Sequence, residues 1–145
     1  MARTCIQRWT EIGAVSAGAT IVLGLLALNM WNLTIDAKAL GSTETCTRPP
    51  MRAFLIGSVV CSAISLSTCG LAPPALHLVF IVLGHVWLRQ AHTEADPLYG
   101  ETCALTAPLL IRTSMQSLVV LWCTMVCNVI CFMCYGYCPL LLGSS

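Results

Sequence analysis

The stretch from Met51 to Leu88 constrains this chain most: thirty-eight residues with one charge, Arg52, and a break at Gly70-Leu71-Ala72-Pro73-Pro74. As a single helix it would be about 57 Å long, against a hydrocarbon core of roughly 30 Å. It therefore reads as two membrane spans joined in a hairpin. That parity puts the polar stretches before and after it on one side of the bilayer.

Hydrophobic residues are 57% of the 145 and charged ones 9%, where soluble domains carry about 25%, so a water-soluble fold is not expected. The expected spans are residues 12–35, 51–69, 74–89 and 108–138, with short connections between them. Residues 1–145 are thus read as one all-α domain, an integral membrane four-helix bundle. The seven basic and six acidic residues form no basic run, which excludes a nucleic-acid partner and leaves the lipid bilayer as the first one.

Arg3 and Arg8 precede an uncharged run from Ile12 to Ile35. It is longer than a signal-peptide core of about 7–15 residues, so a retained span is the better reading. Trp9 and Trp31 lie twenty-two residues apart, about 33 Å along a helix, as rings at the two interfaces would. Within this span Ala14 and Gly18, and Ser16, Thr20 and Gly24, recur every four residues. Such stripes let backbones approach closely; packing within the chain is expected, with a dimer face as the alternative. Gly57, Cys61 and Ser65 form a similar stripe in the second span. The polar connection is taken as Asp36 to Pro50, with Pro49-Pro50 opening the second helix. Ser67 and Thr68 are expected to serve backbone groups freed at the hairpin turn. Trp87 and Arg89 suit an interface, and Gly136 and Pro139 discourage helix beyond Cys138.

Ten cysteines invite chemistry. Cys123, Cys127, Cys131, Cys134 and Cys138 fall within an arc of about 80° on one helix, beside Arg112 and Gln116. Bundle packing is the leading reading. Acylation of Cys134 or Cys138 at the membrane edge is the alternative, and a thiolate metal site is disfavoured because hydrocarbon opposes deprotonation. Cys46 and Cys103 are the cysteines of the first and third connections, on one side of the membrane, and form the disulfide candidate.

His77 and His85 lie in the third span and Arg112 near the start of the fourth. All three sit near helix ends, which favours contact with water or headgroups over a proton relay. Asn128 reads as an interhelical hydrogen-bonding residue. No enzyme signature and no carboxylate inside a span is found, so no catalytic residue, cofactor or metal is assigned. Asn32-Leu33-Thr34 matches a glycosylation acceptor beside the interfacial Trp31. Lys38, Arg48, Arg52 and Arg89 on the connection side outnumber Arg3 and Arg8, which favours cytoplasmic connections. The cysteine partition argues the reverse and is given more weight, placing the termini in the cytoplasm.

Cys46 with Pro49 and Pro50, Gly84-His85-Val86-Trp87, Tyr99 with Cys103, and the Cys131 to Cys138 cluster form an ordered set. From Ile12 onward this set resembles the transmembrane protein 272-like family of small four-span animal proteins. The chain departs from that pattern in its nearly uncharged hairpin turn and in having Glu44 alone before the first loop cysteine. The resemblance implies four spans and a membrane location, and no activity. The expected function is therefore non-enzymatic: a multi-pass protein of the plasma membrane or secretory pathway that associates laterally with membrane proteins or itself. The alternative is a small channel or transporter using His77, His85 and Arg112.

Overall fold

The computed structural model describes residues 2–68 and 73–142, with side chains described for residue 13 and for residues 16–68 and 73–130. Among them the fold is all-helical: α1 (Ala2–Leu40), α2 (Met51–Ser67), α3 (Pro74–Thr93), the single turn α4 (Cys103–Thr106) and α5 (Pro108–Leu142). Ser16–Leu40 and Pro108–Ile130 are long and apolar enough to cross a bilayer; α2 is a shorter apolar helix. At 17 and 20 residues, α2 and α3 are about 26 and 30 Å long.

Proline sets the helix starts. Pro74 occupies the first turn of α3, and Pro50 immediately precedes α2, positions where a missing N–H forfeits nothing. At the end of α2, Thr68 donates from its backbone N–H and its hydroxyl to the Ile64 carbonyl, and the Ser67 hydroxyl donates there too. Both hydroxyls thus turn back onto a carbonyl of the last turn that already accepts a backbone N–H.

Several boundaries differ from the sequence reading: α1 begins at Ala2, α2 ends at Ser67, α3 runs on to Thr93, and two further ends have a clear physical reason. α1 runs past Asp36 to Leu40, because the carboxylate is buried and hydrogen-bonded and so need not mark the helix end. The true connection is residues 41–50. α5 continues through Gly136 and Pro139 to Leu142, since a proline near a helix end forfeits one N–H bond without ending the helix.

α1 packs on α2 and α5; α5 also packs on α2 and α3, and α2 on α3. Phe54, Met51, Leu55, Ile81, Leu110 and Leu121 are fully buried between the helices. The α2 stripe is closed by this packing: Gly57, Cys61 and Ser65 are all buried, and a Cβ at Gly57 would overlap the Phe80 ring. The α1 stripe is not. Ser16, Thr20 and Gly24 are exposed, and a Cβ on Gly24 would meet nothing within 4 Å, so no packing among the described residues uses it.

The helices are amphipathic in the reverse of the soluble sense. On α5 the outward side carries Met115, Val119, Trp122 and Val126, while Ser114, Ser117, Thr124 and Asn128 are buried. On α1, Met30 and Trp31 face out while Asn29, Asn32 and Asp36 are buried. α3 exposes Leu78, Val79, Val82 and Val86 and buries His77.

Candidate functional site

Two constellations stand out, one in the connections and one between the helices. In the first, Cys46 and Cys103 bring their sulfurs to disulfide-bonding distance with Cα atoms 5.7 Å apart. Asp96 lies beside them, and a side-chain ligand atom of each of the three lies within 4.8 Å of the others. Asp96 Oδ2 accepts the Thr47 N–H at 2.7 Å and Oδ1 the Leu98 N–H at 2.9 Å. Its carboxylate is therefore committed to joining the first and third connections, which favours a sulfur bridge over a metal at this trio. Its own carbonyl accepts from Tyr99 and Gly100, whose φ of 70° closes the turn in a conformation natural to glycine.

Neighbouring contacts strengthen the same clasp. Glu44 Oε2 accepts the Leu110 N–H at 3.1 Å, so a carboxylate from the first connection caps the N-terminal turn of α5, where the helix dipole favours negative charge. Arg52 donates to the carbonyls of Ser42 and Glu44 at 2.5 and 3.2 Å, and the Thr45 and Tyr99 hydroxyls meet at 3.2 Å.

The N–H of Leu98 holds the Asp96 carboxyl below the ordinary carboxylate range; enclosure by its own loop opposes this, and the Thr47 N–H reinforces it. The loop lies at the surface of the fold, so the hydrogen bonds outweigh desolvation. A carboxyl depressed on folding contributes stability that is full above about pH 4 and is lost as pH falls through the folded value. Asp96→Asn is expected to flatten the acid limb of a melting-temperature profile against pH. An acid limb as steep as that of the wild type would show that Asp96 does not govern it.

The second constellation is a polar seam. Asn32, wholly buried, directs Nδ2 to Asp36 Oδ2 at 3.2 Å, Ser58 Oγ at 2.9 Å and Ser62 Oγ at 3.1 Å. The Ser117 hydroxyl donates to Asp36 Oδ1 at 2.5 Å and also lies 2.9 Å from the Thr113 carbonyl. A turn further along α1, Asn29 Nδ2 bonds the Leu25 carbonyl at 2.8 Å and Thr124 Oγ1 at 3.4 Å. At the hairpin end, His77 Nε2 meets Ser65 Oγ and Nδ1 meets the Pro73 carbonyl, both at 3.3 Å. Helices α1, α2, α3 and α5 all contribute.

No family model, curated protein or solved structure matches this chain.

The sequence-derived residues are distributed unevenly over these two places. Cys46 and Cys103 come together. His77 is buried among the helices near the hairpin end, with Ser65 and the Pro73 carbonyl at its two ring nitrogens. His85 is exposed and accepts the Trp122 indole N–H at 3.1 Å, and Arg112 is exposed on α5. One inside and two outside, these three do not line a single route. Of the stripe's two described cysteines, Cys123 is exposed and Cys127 half-buried. The side chains of Cys131, Cys134 and Cys138 lie outside the described residues. Burial of Asn32 removes it as a glycosylation acceptor.

Asp36 was missed by placing the span boundary at the first charge, and it puts a carboxylate inside a helix that is long and apolar enough to cross a bilayer. The signal was present: Leu25, Asn29, Asn32, Asp36 and Ala39 follow a four-three spacing that marks one buried helix face.

Proposed function

We infer that the chain is a multi-pass integral membrane protein whose four long helices cross the bilayer, and that it acts by lateral association with membrane proteins or further copies of itself. The observation that carries this is the inversion of polarity. Soluble proteins bury apolar side chains, whereas here large apolar groups cover the outward sides of the four long helices while Asn, Ser, Thr and Asp are enclosed. A surface of that extent in water would aggregate; in lipid it is solvated. Association is supported by the open Ser16, Thr20 and Gly24 stripe, where a second helix backbone can approach. Placement in the transmembrane protein 272-like family is proposed with it, on the ordered motifs from Cys46 to Cys138.

Protease protection of terminal tags in sealed vesicles tests the topology. Both tags are expected on one side, with Cys46 and Cys103 labelled from the other; opposite accessibility of the tags refutes four spans. For association, Gly24→Leu is expected to reduce by at least severalfold the recovery of cross-linked membrane adducts, with expression and melting unchanged. Undiminished adducts would show that this stripe is not the contact.

A further inference from the structure

Asp36 is the residue whose surroundings do not account for its charge. It is wholly buried, and its partners are the amide of Asn32 and the hydroxyls of Ser117 and Ser58, with no ion pair among the described residues. Lys38, two positions along α1, is exposed on another face of the helix. An ionised carboxylate enclosed without a counter-charge is too costly to persist, so the site must take up positive charge.

Counting hydrogens points the same way. Asn32 Nδ2 carries two, yet three oxygens, from Asp36, Ser58 and Ser62, lie within 3.2 Å of it. The amide therefore cannot serve all three at once, and the Ser58 hydroxyl turns its own hydrogen toward Asp36. The other end of the same amide, Asn32 Oδ1, is buried without a partner, and so is the hydroxyl of Ser114, one turn from Ser117 on α5. The cluster is thus rich in buried oxygen atoms, two of which, Asn32 Oδ1 and Ser114 Oγ, have no hydrogen-bond partner. Small hard cations take such oxygen sets, and a single carboxylate neutralises a single positive charge. A half turn of the Asn32 amide exchanges its near-isosteric ends and brings Oδ1 among Asp36 and the two serines. That arrangement repels the carboxylate unless a cation lies between them.

We propose that Asp36, Asn32, Ser58, Ser62 and Ser117 form a binding site for a monovalent cation, sodium, held between α1, α2 and α5. Asp36 supplies the charge, Asn32 Oδ1 and the serine hydroxyls supply neutral ligands, and occupancy ties three helices to one ion. The site is distinct from the His77, His85 and Arg112 route considered from sequence, and it holds whether or not the chain associates laterally.

The test uses the full-length protein purified in detergent without sodium. Radioactive sodium binding is measured by equilibrium dialysis with potassium held constant, alongside melting temperature titrated with sodium at fixed ionic strength. Wild type is expected to bind sodium saturably and in equimolar amount, with a melting temperature that rises with sodium and not with potassium. Asp36→Asn, which keeps the shape and removes the charge, is expected to weaken binding at least tenfold and abolish the sodium-dependent shift; the exposed Glu94→Gln is expected to change neither. If Asp36→Asn does not fold, Ser58→Ala, which removes one neutral ligand, is expected to weaken binding severalfold. Wild type without saturable sodium binding, as when Asp36 simply carries a proton, overturns the proposal. Equal binding by Asp36→Asn, or by Ser58→Ala where that variant stands in, overturns it as well.

Discussion

Cys46→Ser with Cys103→Ser is expected to lower the stability of the folded chain by up to about 4 kcal/mol, the chain-entropy value for closing a loop of this size. The sulfurs lie at bonding distance across a sequence separation of 57 residues, and the 5.7 Å between Cα atoms is within the range a bridge spans. Each connection is also held by Asp96, whose carboxylate accepts Thr47 from one and Leu98 from the other, so the ends stay near each other without the bond and the loss falls below the full value. Peptide mapping of protein alkylated before lysis decides whether the bond exists in the cell: the two cysteines are expected in one linked peptide. Recovery of both fully alkylated would remove the bridge, and with it the main support for cytoplasmic termini. Midpoints of denaturant-induced unfolding then supply the energetic comparison.

A second large effect is expected at Gly84 on α3. A Cβ there would come within 2.6 Å of the Phe54 ring and 3.0 Å of Leu118. Phe54 is wholly buried, so the ring has nowhere to withdraw without displacing Met51 or Leu55. Gly84→Ala is expected to cost about 1–3 kcal/mol through overpacking, and Gly84→Leu more, by driving α3 away from α2 and α5. Gly57 is the instructive contrast. The nominal overlap with Phe80 is closer, but Phe80 is only half-buried and can swing outward, so Gly57→Ala is expected to cost less than Gly84→Ala. Thermal melts of the two alanine variants compare the sites directly, and the reverse order would mean that Phe80 is the more firmly held ring.

Much of the architecture was legible because bilayer dimensions and proline chemistry act locally. The starts at Met51, Pro74 and Pro108 follow from Pro49-Pro50, Pro73-Pro74 and Pro108, and the pairing of Cys46 with Cys103 follows from hairpin parity. What escaped depends on partners distant in sequence. Asp36 looked like the start of a connection because its solvation comes from Ser117, 81 residues away, and from Ser58 and Asn32. Nothing adjacent to His77 announces that Ser65 will meet its ring across the hairpin. The exposed face of Cys123 was hidden by a different ambiguity: periodicity fixes which residues share a stripe, but only the neighbouring helices decide which stripe turns inward.

The connection of residues 41–50 is fastened almost wholly to parts of the chain synthesised much later. Glu44 waits for Leu110, 66 residues on; Thr47 waits for Asp96, 49 residues on; and Cys46 waits for Cys103. During biosynthesis α1 and α2 therefore emerge with this segment held only by local contacts such as those of Arg52 with the Ser42 and Glu44 carbonyls. Sulfur bonding between Cys46 and Cys103 is consequently an end-point of assembly. A Cys46–Cys103 bond forms only in a chain whose third connection lies on the same side of the bilayer as its first, so the thiol state reads out whether the two connections have come together.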